Sequence, residues 1–194
     1  MQIILATRNL KKVKEIRAIL KGLKVEFLSL RDFPAIKEIE EKGNSFSENA
    51  TIKAKKVARL TKRISLADDS GLEVDALGGR PGIYSARFAL NDRERNRKLL
   101  RLLKNIPASK RGATFRCAVA IVWPNGKTKV LEGRYRGQIA FKKRGKAGFG
   151  FDPIFIASRY NKTFAELGLK IKNRISHRSQ AFRKAEKILR KKLR

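Results

Sequence analysis

Two strand-like segments joined by an Asn-Gly pair constrain the fold of this chain more than any other feature. Residues 113–123 and 127–140 are rich in apolar and β-branched residues, and Asn125 and Gly126 lie between them. An Asn-Gly pair is the preferred sequence of tight hairpin turns, because both central residues take a positive φ there. The sequence therefore predicts a long antiparallel pair of strands over residues 113–140.

The segments around this hairpin alternate between strand and helix patterns. Residues 3–6 form an apolar run that precedes a turn and a helical pattern. Ser45 and Glu48 match a capping box, which predicts a helix that continues to about Arg63. Further strands are predicted over residues 25–30, 64–67 and 154–157, and further helices over residues 92–106 and 183–194. This mixed order predicts an α/β (mixed α+β) fold with parallel and antiparallel pairing, in one domain over residues 1–194.

The charge of the chain is strongly unbalanced, with 48 Lys and Arg against 17 Asp and Glu and a net charge of +31. Such a charge attracts polyanions by long-range steering, so nonspecific nucleic-acid binding is one explanation. Surface enrichment in lysine and a deliberately charged design are the others. The charge alone does not decide among them.

The few sulfur and imidazole groups exclude several kinds of site. A single Cys excludes an internal disulfide framework and a zinc site built from cysteines, and a single His, His177, excludes a multi-histidine metal site. The apolar run near the start is too short for a signal peptide or a membrane span. We therefore expect a cytoplasmic protein with no membrane association.

The turn after the first predicted strand carries Thr7, Asn9 and Lys12. Backbone N–H groups at a helix N-terminus bind phosphate well, and the hydroxyl, amide and ammonium groups could each hold a phosphate oxygen. The alternative is an ordinary helix cap followed by a solvated lysine.

Two adjacent acids, Asp68 and Asp69, follow the apolar strand pattern of residues 64–67 and precede Ser70. Neighbouring carboxylates repel one another, so this placement favours a bound cation or a general base. Mg²⁺ is the natural cation, because it prefers oxygen ligands and is usually held by one or two carboxylates together with substrate phosphates. An Asx-turn that closes the strand is the alternative.

A glycine-flanked aromatic and a donor-rich segment complete the set of candidate site residues. Phe149 lies between two glycines, so its ring could lie flat against a purine. Lys172, His177 and Arg178 supply hydrogen-bond donors. Core packing of Phe149 and helix capping by His177 are the alternatives. Together, a ring, donors, paired carboxylates and a helix N-terminus predict a nucleotide site with a metal.

These segments resemble the inosine triphosphatase family, also called the XTP/dITP diphosphatases. The matching blocks, in the family's order, are LATRNLKKVKE, EEKGNSFSENATIKAKK, ADDSGLEVDALGGRPGIYSARFA, GFGFDPIF, TFAEL and KNRISHRSQAF. The resemblance implies a curved mixed sheet flanked by helices, with two lobes and a central nucleotide cleft. It also implies Mg²⁺-dependent hydrolysis of ITP, dITP and XTP to the monophosphate and pyrophosphate, usually by a homodimer.

The resemblance implies a role for each matching residue. Glu41 and Asp69 would bind the metal, and Asp69 would accept the proton, with Asp68 as the other candidate for that step. The residues implied in substrate binding are Thr7, Arg8, Asn9, Leu10, Lys11, Lys12, Lys53, Ser70, Phe149, Gly150, Phe151, Asp152, Lys172, His177 and Arg178. Phe151 stands where the family often has Tyr.

Selectivity would follow from the substituent at position six of the purine. ITP and XTP present a keto oxygen that accepts hydrogen bonds from Lys172 and Arg178, whereas ATP presents an amino group that would leave those donors unpaired. Two other functions remain open from the residues alone. One is a basic nucleic-acid-binding protein, and the other is a pyrophosphatase for other modified nucleotides.

Overall fold

The computed structural model describes residues 1–192. They form one mixed sheet of seven strands, and five α-helices. The strands are β1 (Gln2–Leu5), β2 (Glu26–Ser29), β3 (Ile64–Val74), β4 (Gly112–Val122), β5 (Thr128–Ile139), β6 (Phe155–Ala157) and β7 (Lys162–Thr163). The helices are α1 (Leu10–Ile19), α2 (Phe46–Thr61), α3 (Asp92–Leu102), α4 (Phe164–Ile175) and α5 (His177–Lys192).

The sheet combines parallel and antiparallel pairs in the order β2-β1-β3-β4-β5-β6-β7. β1 pairs in parallel with β2 and β3, whereas β6 pairs antiparallel with β5 and β7. The predicted hairpin is present as β4 and β5. Its turn differs from the predicted one, because Gly126 N–H donates to the Trp123 carbonyl at 2.9 Å, which makes Pro124 and Asn125 the central residues. Gly126 follows them with a φ of 84°, whereas Asn125 has no positive φ. The mixed α/β prediction is confirmed.

The chain divides into two compact units. Unit 1 contains residues 1–69 and 117–133 and the chain from Arg178 onward, and unit 2 contains residues 70–116 and 134–177. β3, β4 and β5 each contribute residues to both units. No helix within residues 1–192 has the length and hydropathy needed to cross a membrane.

Unit 1 has an aliphatic core in which α1 and α5 pack on the strands. Val13 and Ile16 of α1 and Phe182 and Leu189 of α5 are buried in one cluster with Leu66 of β3. The apolar positions of α5 recur at helical spacing, which explains why a chain segment this basic forms a packed helix. The predicted helix over residues 183–194 begins earlier, at His177, and its last two residues lie outside the described part of the chain.

Unit 2 has an aromatic core. Phe115 of β4 lies 4.5 Å from Phe155 of β6 and 5.9 Å from Phe164 of α4, measured between ring centroids. Leu99 and Leu103 pack into the same cluster from α3 and the residue after it. These contacts position the loop that precedes β6.

Other elements also differ from the sequence-based predictions. The strand predicted over residues 64–67 continues to Val74, because apolar residues resume after the acids and Leu72 and Val74 are buried. The helix predicted to residue 106 ends at Leu102, before Pro107, whose ring disfavours helical backbone in the residue before it. α4 was not predicted, although Thr163 and Glu166 form a complete capping box at its start.

Substitution of Gly137 should destabilise the pairing of β5 with β6. A Cβ at this position would clash with the carbonyl oxygen of Ile156 and with the Phe155 ring, and neither is a flexible side-chain end. We expect Gly137→Ala to lower the free energy of unfolding by about 1–3 kcal/mol in urea titrations. Gly22→Ala is the matched control, because its Cβ would meet only side-chain ends of Arg190 and Glu186. Equal stability of the two variants would contradict this packing.

Candidate functional site

Asp68 and Asp69 lie within β3 rather than at its end. Successive side chains of a strand point to opposite faces of a sheet, so the two carboxylates are directed to opposite sides. Both are buried, with 3% and 6% of their surface exposed. The alternation reduces the repulsion between the neighbouring acids, and each binds a different set of cations.

Asp68 binds cations from α1 and α5. Its Oδ2 lies 3.1 Å from Lys12 Nζ and accepts hydrogen bonds from Arg178 Nε and Nη2 at 3.2 and 3.1 Å. Arg178 Nη1 also donates to Glu15 Oε2 of α1 at 2.6 Å. These four side chains form a network of two acids and two cations in which Asp68, Glu15 and Arg178 are buried.

The cations around Asp68 keep it ionised. Burial by itself raises the pKa of this carboxyl, but the positive charges of Lys12, Arg178 and Lys53 outweigh burial and hold the pKa of Asp68 well below its usual range. A carboxylate stabilised in this way is a weak base. Asp68 is therefore better suited to hold Lys12 and Arg178 in place than to accept a proton.

Asp69 and Glu41 share the ammonium group of Lys53 on α2. Lys53 Nζ lies 2.5 Å from Glu41 Oε1 and 3.6 Å from Asp69 Oδ1, and it donates to the Asp68 carbonyl at 2.8 Å. Burial lowers the pKa of Lys53, but the carboxylates of Asp69, Asp68 and Glu41 outweigh burial, and the net pKa is raised. Lys53 therefore stays charged in the interior.

The two carboxylate oxygens of Asp69 differ in their contacts, since only Oδ1 lies near Lys53. Asp69 Oδ2 is buried and has no hydrogen-bond partner among residues 1–192. Burial raises the pKa of Asp69, the charge of Lys53 opposes that shift, and the carboxylate of Glu41 adds to it. The two acids therefore differ: Asp68 is held by ion pairs, whereas Asp69 keeps one oxygen that can still accept a hydrogen bond.

The Glu41 and Asp69 carboxylates fit a divalent cation of the magnesium type. Both reach the same ammonium group, so Glu41 Oε1 and Asp69 Oδ1 converge on one point, and Asp69 Oδ2 stays outside this contact. Within residues 1–192 no group of three or more His, Cys, Asp or Glu side chains could hold a metal. Two carboxylates are nevertheless the usual protein contribution to Mg²⁺, whose other ligands are waters and substrate phosphates.

The loop that carries Glu41 is fastened to α2 by Asn49. Asn49 Oδ1 accepts a hydrogen bond from Gly43 N–H at 2.8 Å, and Asn49 is fully buried one helical turn before Lys53. A Cβ at Gly43 would lie 2.6 Å from Glu48 Cβ and 2.8 Å from Asn49 Oδ1, so only glycine fits. This contact places Glu41 beside Lys53.

The turn between β1 and α1 is a capped helix N-terminus. Asn9 Oδ1 accepts hydrogen bonds from the backbone N–H groups of Lys11 and Lys12 at 3.0 and 3.3 Å, and Thr7 Oγ1 accepts from Asn9 N–H at 3.2 Å. Arg8 Nη2 donates to the Ile36 carbonyl at 2.6 Å, and Leu10 is exposed. The predicted cap is present, and Lys12 is not simply solvated, because it binds Asp68.

A second polar group lies in unit 2. Lys172 Nζ of α4 donates to Asp152 Oδ2 at 2.5 Å and lies 4.6 Å from the centroid of the Phe149 ring. The same Asp152 oxygen accepts from Phe149 N–H at 2.8 Å. Gly148 has a φ of 80°, and a Cβ there would clash with Asp152. The glycine thus allows the loop to fold back on Asp152 and hold Phe149 against Lys172.

Comparison with known proteins identifies the family. Residues 3–188 match the Ham1 family. The chain belongs to the Ham1 family. It is 48% identical over 192 residues to a protein of Desulforamulus reducens named dITP/XTP pyrophosphatase, covering 97% of this chain and 96% of that protein. A Bacillus subtilis protein of the same name is 47% identical over 189 residues, with 96% of each chain covered.

Solved Ham1 structures have the same fold. The Ham1 protein of Coxiella burnetii superposes with a TM-score of 0.89 at 39% identity, covering 98% of this chain and 99% of that one. The Staphylococcus aureus Ham1 protein superposes with a TM-score of 0.87 at 36% identity, covering 99% of this chain and 100% of that one. The resemblance inferred from the motifs is confirmed.

The structure distributes the predicted site residues of this Ham1 chain over both units. Unit 1 holds the residues of the β1–α1 turn, the acids, Lys53 and Arg178, and unit 2 holds Ser70 and the group around Phe149. Phe151 is a core residue packed edge-on against Phe88. His177 is buried, with its ring stacked on Phe115 at 4.6 Å. Gly150 is held by Asp92 and Asn96 of α3.

Sequence reasoning did not give Glu15, Asn49, Asp92 or Asn96 a role. Asp92 Oδ2 accepts from Gly150 N–H at 2.9 Å, and Asn96 Nδ2 donates to the Gly150 carbonyl at 2.9 Å. For Glu15 a signal was available. It is the one acid in the segment Leu10–Ile19 of a chain with few acids, and it lies on the apolar face of α1 with Ile16 and Ile19.

Removal of Arg178 should cost far more stability than removal of an exposed arginine on the same helix. Arg178→Ala leaves Asp68 and Glu15 as buried acids without their shared cation, which should lower the free energy of unfolding by about 3–5 kcal/mol. Arg190→Ala is the matched control, because its ion pair with Glu186 is half exposed and should be worth less than about 1 kcal/mol. Urea titrations of both variants test this, and similar losses would contradict the network.

Proposed function

We propose that this chain hydrolyses dITP, ITP and XTP to the nucleoside monophosphate and pyrophosphate. The observation that carries the proposal is the convergence of Glu41 and Asp69 on Lys53 in a Ham1 chain. The relatives named dITP/XTP pyrophosphatase support the substrate class, since they are 47–48% identical over almost the whole chain.

Unit 1 is proposed to bind the triphosphate of the substrate. Lys12 and Lys53 carry positive charge beside the acids, and the N-terminus of α1 adds the positive end of its helix dipole. Positive charge at these positions stabilises the negative charge that develops on the departing pyrophosphate. The ion pairs with Asp68 and Glu41 fix both ammonium groups before substrate arrives.

Asp69 is the residue proposed to accept the proton of the attacking water. Water attacks the α-phosphorus, the bond from that phosphorus to the bridging oxygen breaks, and pyrophosphate leaves. Asp69 Oδ2 has no hydrogen-bond partner among residues 1–192, and burial raises the pKa of Asp69, so it is a better base than Asp68. Lys53 holds the other oxygen of Asp69 and thereby orients the carboxylate.

Glu41 and Asp69 are also the residues that would hold Mg²⁺. When bound, the ion would polarise the phosphoryl oxygens and neutralise part of their charge. Asn49 and Gly43 would act indirectly, because their hydrogen bond keeps Glu41 beside Lys53.

In unit 2, the pair of Phe149 and Lys172 is proposed to recognise the base. The Phe149 ring offers a stacking surface, and the ammonium group of Lys172 can only donate hydrogen bonds. A purine keto oxygen accepts such a bond, whereas an amino group cannot. Asp152 holds Lys172 in place through an ion pair of 2.5 Å.

A homodimer is a further part of the proposal. It rests on the family resemblance alone, and sedimentation velocity of the purified chain tests it. A mass of one chain at micromolar concentration would contradict it. The cytoplasmic location expected from the sequence stays a prediction.

A substrate panel tests the proposed activity. We expect pyrophosphate release from dITP and XTP with Mg²⁺, at rates at least about 100-fold above those for dATP, and none with chelator. Release from modified pyrimidine nucleotides instead would indicate the broader pyrophosphatase. No release from any nucleotide would contradict the proposal.

Asp69→Asn should abolish turnover without unfolding the chain. Loss of a general base typically costs about 10²–10⁴ in rate, and we expect a loss of kcat in this range for dITP. Asp75→Asn is the matched control, since Asp75 is half exposed and binds Arg136. Full activity of the Asp69 variant would contradict the assignment, and a native urea transition shows that any loss is chemical.

A further inference from the structure

The C-terminal half of α2 and the residues after it carry five cations, which we call the α2 cationic row. The row consists of Lys55, Lys56, Arg59, Lys62 and Arg63. Lys56 is half-buried and the other four are exposed. Asn49 and Lys53 of α2 are buried, whereas none of the five cations of the row is buried and none is a proposed catalytic residue.

No carboxylate neutralises the row by direct contact. Within residues 1–192, none of the five side chains takes part in an ion pair or a hydrogen bond, and α2 has no acid after Glu48. The charge of Lys56 contributes to lowering the pKa of Glu40, but the Glu40 carboxylate forms its ion pair with Lys42, at 2.7 Å. Other basic helices differ, since Arg190 of α5 has Glu186 one turn away at 2.7 Å.

The arrangement is unfavourable for the isolated helix. Within α2, Arg59 lies four residues from Lys55 and three from Lys56, and like charges at these spacings repel. Lys62 has a φ of 52°, in the left-handed region that glycine usually occupies after a helix. A bound polyanion would turn this repulsion into attraction.

We propose that the α2 cationic row binds the phosphate backbone of double-stranded DNA without regard to sequence. The helical part of the row, from Lys55 to Arg59, extends over about 6 Å at a rise of 1.5 Å per residue, and Lys62 and Arg63 follow the end of α2. Duplex DNA has one negative charge per about 1.7 Å of axis, which is denser than a single strand. The net charge of +31 would bring DNA to the protein, and the row would be the place of contact.

Duplex DNA suits the row better than a single strand does. Proteins that bind single strands without sequence preference stack bases on aromatic side chains. α2 has no aromatic residue after Phe46, which is buried, so the row can recognise only charge. An anionic lipid surface is less suitable, because helices that lie on membranes insert a broad apolar face, whereas most apolar residues of α2 are buried and only Ile52 and Leu60 are exposed.

The test compares two variants of equal net charge. The row variant carries K55Q, K56Q, R59Q, K62Q and R63Q, and the scattered control carries K21Q, K24Q, K37Q, K127Q and K129Q at exposed positions elsewhere in unit 1. Binding of both variants and the unaltered chain to a 20-base-pair duplex is measured by fluorescence anisotropy between 50 and 200 mM salt. The same chains are titrated with single-stranded DNA and phosphatidylserine vesicles.

If the α2 cationic row is the contact site, the salt dependence of DNA binding should depend on these five residues and not on cations elsewhere. Five phosphate contacts give a slope of about −4.5 in log K against log salt, or about 500-fold between 50 and 200 mM. We expect the row variant to lose most of that slope and the scattered control to keep it. Equal loss in the two variants would show that net charge alone acts, and would overturn the proposal. So would absence of binding by the unaltered chain, or tighter binding to vesicles or single strands.

Pyrophosphate release from dITP controls for folding. Both variants should keep the activity of the unaltered chain, because none of the ten residues belongs to the proposed catalytic machinery. If the row variant does not fold, Arg59→Gln alone replaces it, with Lys129→Gln as its control. The single variant should lower the salt slope by about 0.9, and an unchanged slope would overturn the proposal.

Discussion

The buried carboxylate of Asp68 is the group on which the rest of unit 1 depends. It binds Lys12 of α1 and Arg178 of α5, and Arg178 also forms an ion pair with Glu15 of α1. Charges this deep in a protein are tolerated only when they are paired and hydrogen-bonded, so each member of the network requires the others. One strand residue thereby fixes two helices and leaves its neighbour, Asp69, available for chemistry.

Because side chains alternate along β3, the two adjacent acids have different surroundings and different contacts. Asp68 faces cations that keep it ionised, whereas Asp69 shares Lys53 with Glu41 and retains an unpartnered oxygen. These acids were predicted at a strand end, with the choice of base left open. Because the strand continues, the two carboxylates point to opposite faces of the sheet, and this difference is the basis for proposing Asp69 as the base.

Local patterns made much of this fold predictable. The hairpin around Asn125 and Gly126 and the cap at Ser45 depend on neighbouring residues, and both are present in the structure, although the turn has Pro124 and Asn125 at its centre. The contacts that were missed join distant positions. Glu15 and Arg178 are 163 residues apart, and neither residue type indicates its partner. The Asn49 contact with Gly43 depends on how a loop folds back on a helix, which no periodicity reveals.

A double-mutant cycle between Asp68 and Arg178 tests the central claim most directly. The free energy of unfolding is measured for the unaltered chain, Asp68→Asn, Arg178→Gln and the double variant. If the two side chains form a buried ion pair, the coupling energy should exceed about 2 kcal/mol, because each single change leaves a buried charge with only one of its two partners. A coupling energy within about 0.5 kcal/mol of zero would contradict the account.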